Sequence, residues 1–133
     1  VMRGADLQLD PEGKFIRDVV RLAVKPIWNA YHFFCLYANA DGIEAELLYT
    51  MHSGYDSWRV PDQPLDRYIL SKLSIAVTTI AQALDEYDTP TACETASQFF
   101  ESLNNWYIRR SKPRFWKEEK DGDKQDAYDT LYT

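Results

Sequence analysis

Between Pro64 and Arg110 apolar residues return at every third or fourth position, and one short polar stretch interrupts them. Ile69, Leu73, Ala76, Ile80 and Ala83 form a first stripe; Ala92, Ala96, Phe99, Leu103 and Trp106 form a second that runs on to Arg110. That period is one face of an α-helix, because the faces of a strand alternate every second residue. Pro64 stands in the first turn of one helix. Thr89-Pro90 caps the next, with Asp85 to Asp88 as the turn between them, and Pro113 is predicted to stop the second helix. Two amphipathic helices joined by so short a turn lie antiparallel and share a core.

The same period runs upstream. Asp10-Pro11 reads as a cap and first-turn pair, followed by Phe15, Val19 and Leu22 on one stripe. Pro26 predicts a kink or break near Lys25. Ile27, Ala30, Tyr31, Phe34 and Ala38 then mark another helix face, ended by Asn39 to Gly42, residues that tolerate positive φ. Residues 43–63 are the least regular part and read as a long connection with one short helix over Glu44 to Met51. After a charged loop from Lys117 to Lys124, Asp123 is the candidate cap of a last helix carrying Ala127 and Leu131. The fold class that follows is all-α, an antiparallel helical bundle truncated at its C-terminal end, with part of an apolar face left uncovered. The chain begins at Val1 without a methionine and closes on a helical pattern without a cap. It reads as a piece of a larger protein.

Composition bounds the function. At 133 residues, 45% hydrophobic and 27% charged, the chain is one domain's worth of a globular protein. No apolar run approaches the roughly 20 residues of a membrane span. Cys35 and Cys93 fall inside helical patterns without a CxxC spacing, and read as free, mostly buried thiols in a cytoplasmic setting. No glycine-rich phosphate loop, HExxH or zinc spacing occurs. His32 and Cys35, three apart on a helix, lack a third orienting group, so no catalytic or metal-ligating residue is assigned.

The run NWYIRRSKPRFW, Asn105 to Trp116, interleaves four aromatics with four cations. Aromatic faces stack on unpaired bases while Arg and Lys hold phosphates, which suits looped or single-stranded RNA. The competing reading is a helix end, with cations offsetting the helix dipole and aromatics in the core. Net charge of −6 argues against a nucleic-acid partner, but its distribution argues for one. Arg109 to Lys120 holds six cations and two glutamates, a local +4 against −10 elsewhere. A helical interaction module whose basic stripe meets an acidic protein surface is the alternative.

This run closely resembles the block that closes one long helix in the anticodon-binding domain of isoleucyl-tRNA synthetases, a family of class I aminoacyl-tRNA synthetases. KPIWNAYHFFCLYAN (Lys25 to Asn39) is similar to that domain's first bundle helix, and LDRYILSKL (Leu65 to Leu73) to the start of its second. VMRGADLQ (Val1 to Gln8) is similar to the segment leaving the catalytic domain. The resemblance covers nearly all of residues 1–133 as a single domain, with 1–10 as that leaving segment. It departs from the family at Lys112-Pro113, where further arginines are usual.

The resemblance implies part of a ligase that joins isoleucine to its tRNA with ATP and Mg. The HIGH and KMSKS signatures of the catalytic domain do not occur here, so the resemblance implies no catalytic residue and no cofactor in this chain. Its implied partners are isoleucine tRNA and the parent's own catalytic domain. Asn29, Trp106, Arg109 and Arg110 match positions on the two helices that line the family's anticodon site. The residues themselves add Phe33, which with Asn29 faces away from the Ile27-Tyr31-Phe34 stripe, and Lys112, Arg114 and Trp116, expected at or beyond the helix end. For Trp106, whose spacing puts it on the apolar stripe, core packing competes with RNA contact. For Asn29 and Phe33 the competitor is packing against a partner helix.

Overall fold

Prolines decide where the long helices change shape. The computed structural model describes residues 13–52 and 55–133, with side chains for all of these except Phe15 and 49–58. The readings made for residues 1–10 and for the Asp10-Pro11 cap lie outside the described residues.

Helix α1 (Lys14–Val19) passes through a π turn (Val20–Val24) directly into α2 (Lys25–Asp41). Pro26 has no N–H to give the Leu22 carbonyl, and its ring would press on that oxygen. The wider π turn opens the ladder just there, so the helix passes Lys25 without the break that was one of the two outcomes expected. The predicted end is found: Gly42 closes α2 at φ 61, its N–H bonded to the carbonyls of Ala38 and Asn39. Val19 and Leu22 are exposed, so these two positions of the stripe stay out of the core.

The same device recurs downstream. Helix α4 (Thr89–Ser102) runs through a second π turn (Leu103–Ile108) into α5 (Arg109–Trp116), which contains Pro113 rather than ending at it. Asp88 is the cap of α4, its Oδ1 accepting the Thr91 N–H at 3.2 Å, one residue before the cap read from the sequence. Helix α3 (Pro64–Asp85) starts at its proline as expected. Asp121, not Asp123, caps α6 (Gly122–Tyr132), accepting the Lys124 N–H at 2.8 Å.

The helices alternate in direction. Asn104 donates to the Pro26 carbonyl at 3.1 Å and Phe33 packs edge-on to Phe115 at 5.0 Å, so α2 runs alongside α4–α5 in the same sense. Arg114 meets Asp66, and Tyr107 meets Ala127, so α3 and α6 run against it. This is the antiparallel bundle the periodicity implied. Its core has two adjoining parts, Ala30, Ile69, Leu103, Tyr107 and Ile108, then Ala38, Phe115, Ala127 and Tyr128, with Phe33 packed against both.

The connection over 43–63 is not helical at Glu44 to Met51. Strands β1 (Tyr49–His52) and β2 (Tyr55–Trp58) pair antiparallel, Tyr49 opposite Trp58 and His52 opposite Tyr55. Tyr49 and Thr50 before Ser53-Gly54, with Tyr55 and Trp58 after it, carry that signal. Residues 44–48 lie along α6, where Asp129 accepts the Glu46 N–H at 2.8 Å and the Thr133 hydroxyl accepts that of Leu48 at 2.9 Å. An apolar groove of about 190 Å³ stays open beside Leu131, lined by Ile69, Leu73, Phe99, Phe100 and Leu103. Of the two free cysteines Cys35 is half-buried, and Cys93 is exposed rather than buried as expected. Among the described residues no helix is long and apolar enough to cross a membrane.

Candidate nucleic-acid interface

A π turn holds one residue more than an α turn, so it rotates everything after it by about a quarter turn. The stripe Ala92, Ala96, Phe99, Leu103 therefore does not continue to Trp106 and Arg110. Beyond Leu103 the buried line is Tyr107, Ser111 and Phe115, with Ile108 beside it. Trp106 turns outward and is 50% exposed, which corrects the expectation of core packing. Arg109, Arg110, Pro113 and Trp116 follow on the same outer face, with Lys112 at its edge. Trp116, expected beyond a helix end at Pro113, is still within the helix, because α5 runs to Trp116.

Two cation–aromatic pairs are built into this face at i, i+4 spacing. The Arg110 guanidinium sits 4.3 Å from the Trp106 ring centroid, and Lys112 Nζ sits 5.6 Å from that of Trp116, which is 56% exposed. One side of each indole is taken by its cation while the ring keeps exposed area. Among the described residues Arg109, Arg110 and Lys112 have no carboxylate within ion-pair distance.

The other cations of the run are used internally. Arg114, expected at the helix end facing solvent, turns into the bundle. It donates to both oxygens of the fully buried Asp66, at 2.6 and 2.8 Å, and to the Asp123 carbonyl at 2.8 Å. Its Nε is 2.9 Å from Asp123 Oδ1, an ion pair not aligned as a hydrogen bond. Burial works against the Arg114 charge, but the bonds to Asp66 and the charges of Asp66 and Asp123 outweigh it and hold the guanidinium protonated. Lys117 pairs with Asp121 and Asp123, and Lys120 donates to the Asp41 carbonyl. Between positions 109 and 112 three cations thus remain without a carboxylate partner among the described residues.

Beneath this face lies a polar cluster that the sequence did not reveal. Tyr107 is fully buried, and its hydroxyl donates to the Ala127 carbonyl at 3.2 Å. Burial, then the Asp66 charge, pushes its phenol far above the ordinary range, so it stays neutral. An acid in a first turn, as Asp66 is, reads from sequence only as a dipole partner, which is why its pairing was missed.

On α2, Asn29 is exposed as expected, but Phe33 is half-buried, packed on Tyr37 at 4.7 Å and on Phe115. The inward face of α2 is Ala30, Phe33, Phe34, Tyr37 and Ala38; Ile27 and Tyr31, counted in the apolar stripe, are exposed. Phe33 therefore belongs to the packing. Exposed Asn29 and the α5 face are the candidate positions that remain open to solvent.

Residues 66–133 match the family model described as the anticodon-binding domain of tRNA ligase. The chain belongs to this family of tRNA-ligase anticodon-binding domains. Over all 133 residues it is 56% identical to the isoleucine–tRNA ligase of Rickettsia bellii (strain OSU 85-389), 54% to that of Rickettsia felis (strain ATCC VR-1525 / URRWXCal2) and 55% to that of Rickettsia typhi (strain ATCC VR-144 / Wilmington). In each case the whole of this chain is covered and 11% of the relative, so it spans about a tenth of their length.

Proposed function

We propose that this chain is the anticodon-arm-binding part of an isoleucine–tRNA ligase, and that the outer face of α5 is where the RNA lies. The observation that carries the reading is the pair of indoles clipped by Arg110 and Lys112 on a chain of the anticodon-binding family. An unpaired base stacks on the free side of each indole, while Arg109 and the two clip cations meet phosphates. Asn29, exposed on α2, offers an amide to a base edge. Phe33 supports this from below, and Arg114 acts by holding α5. Residues 1–133 form one domain, with 1–10 the segment that leaves the catalytic domain. In the full-length ligase that domain, working in the cytoplasm, joins isoleucine to tRNA with ATP and Mg.

The test is binding of the full-length parent to isoleucine tRNA and to the same tRNA with its anticodon bases replaced. Trp106→Ala together with Trp116→Ala is expected to lower affinity for the intact tRNA and narrow its preference over the replaced one. Unchanged affinity and preference would favour the rival reading, docking of the basic face on an acidic protein.

A further inference from the structure

Pro113 leaves the end of α5 one backbone bond short. It has no N–H for the Arg109 carbonyl, so the turn carrying Arg114, Phe115 and Trp116 is tied less firmly to the helix before it. Side chains of that turn reach the bundle instead. Phe115 is buried, with the rings of Phe33 and Tyr128 each edge-on at 5.0 Å. Arg114 is gripped at both ends of its fork by Asp66, which lies in the first turn of α3, an element that carries none of Trp106, Arg109, Arg110, Lys112 and Trp116.

We propose that Asp66 is a positioning residue for RNA binding: through Arg114 it fixes the turn of α5 that presents Trp116. This rests on the reading that the outer face of α5 meets RNA. Asp66 suits the task because its carboxylate is fully buried and sits at a helix N-terminus, where the backbone favours its charge. The planar guanidinium meets both carboxylate oxygens at once, which sets direction as well as distance. Arg109 and Arg110 precede the proline, where the ladder leaving the second π turn already holds them. The influence of Asp66 accordingly stops at Pro113.

A double-mutant cycle in the full-length parent tests this, reading affinity for isoleucine tRNA with the thermal unfolding midpoint measured alongside. Asp66→Asn keeps the shape and removes the charge. In that background the loss caused by Trp116→Ala is expected to shrink by about threefold or more, as for side chains acting as one unit. The loss caused by Arg109→Ala, on the near side of the proline, stays whole. Should Asp66→Asn fail to fold, Arg114→Lys keeps the cation but not the fork and is expected to give the same pattern. Independent effects of Asp66→Asn and Trp116→Ala, or equal coupling to Arg109, would show that Asp66 only stabilises the bundle. No loss on Trp116→Ala alone would remove the RNA-facing premise, and the proposal with it.

Discussion

The guanidinium of Arg110 lies 4.3 Å from the ring centroid of Trp106, one helical turn back along the chain. Residues four apart meet on any helix face; the second π turn turns this pair outward, away from the line of Leu103. Trp106→Ala in the full-length parent is predicted to weaken tRNA binding by roughly 1–3 kcal/mol with little change in salt dependence, since a stacked ring carries no charge. A loss that vanishes at high salt would mean that Trp106 serves only to orient Arg110.

Leu103 is buried in the core with Ile69 and Tyr107. Leu103→Ala is predicted to cost about 2–3 kcal/mol in denaturant unfolding, the lower part of the usual range because an open groove already adjoins it. A cost below about 0.5 kcal/mol, the size of a surface substitution, would place the residue outside the core.

Asp41 ties the end of α2 to α6. It is 2.7 Å from the buried Lys124 Nζ and accepts the Tyr128 hydroxyl. Burial alone would raise the Asp41 pKa, but Lys124 and Tyr128 overcome that and hold it below the ordinary carboxylate range. A carboxyl depressed in the folded state stabilises above its unfolded pKa of about 3.9 and loses that effect as pH falls through the folded value. Asp41→Asn is predicted to cost about 1–3 kcal/mol at pH 7, with the two proteins converging as the pH drops below 4. A gap of constant size from pH 7 to pH 3 in urea midpoints would contradict this.

At the alkaline end Tyr107 dominates. Its phenol stays neutral when folded because burial and Asp66 both oppose ionisation, whereas the unfolded chain ionises near pH 10. The stabilisation is therefore complete below that pH and lost as pH rises above it. Tyr107→Phe, which has no proton to lose, is predicted to show a shallower fall in urea midpoint between pH 9 and pH 11. Parallel curves would mean that the buried phenol is not what limits the fold in base.

The bundle was legible because long stripes such as Ile69, Leu73, Ala76, Ile80 and Ala83 leave no other period to fit, and Ile69, Ala76 and Ala83 are indeed buried. The candidate site was legible in residue type but not in direction. Core packing was weighed against RNA contact for Trp106, which turns outward, and Phe33, read as facing away from the apolar stripe, packs into the bundle. For Trp106 the cause is a single added residue in a turn, which a strict 3.6 period cannot register. Arg114 shows a second limit: nothing in its neighbours tells an arginine that reaches solvent from one that folds back on Asp66, 48 positions away. Pro26 was read as a kink or break and Pro113 as a stop; a π turn spans the Leu22 carbonyl before Pro26, and α5 runs through Pro113 to Trp116 with one backbone bond missing. The hairpin was passed over because strands of four residues, Tyr49–His52 and Tyr55–Trp58, give too short an alternation to set against helical patterns on both sides.

The most direct measurement is the salt dependence of tRNA binding by the full-length parent with Arg109, Arg110 and Lys112 replaced together by alanine. If these three cations are the ones that meet phosphates, the slope of log affinity against log salt should fall by roughly 2, near 0.7 for each single-stranded contact. Arg114→Ala, by contrast, should leave the slope within about 0.3 of wild type, less than half of one contact, because that charge already belongs to Asp66. A triple variant with unchanged affinity and unchanged slope would show that the basic face of α5 does not touch RNA.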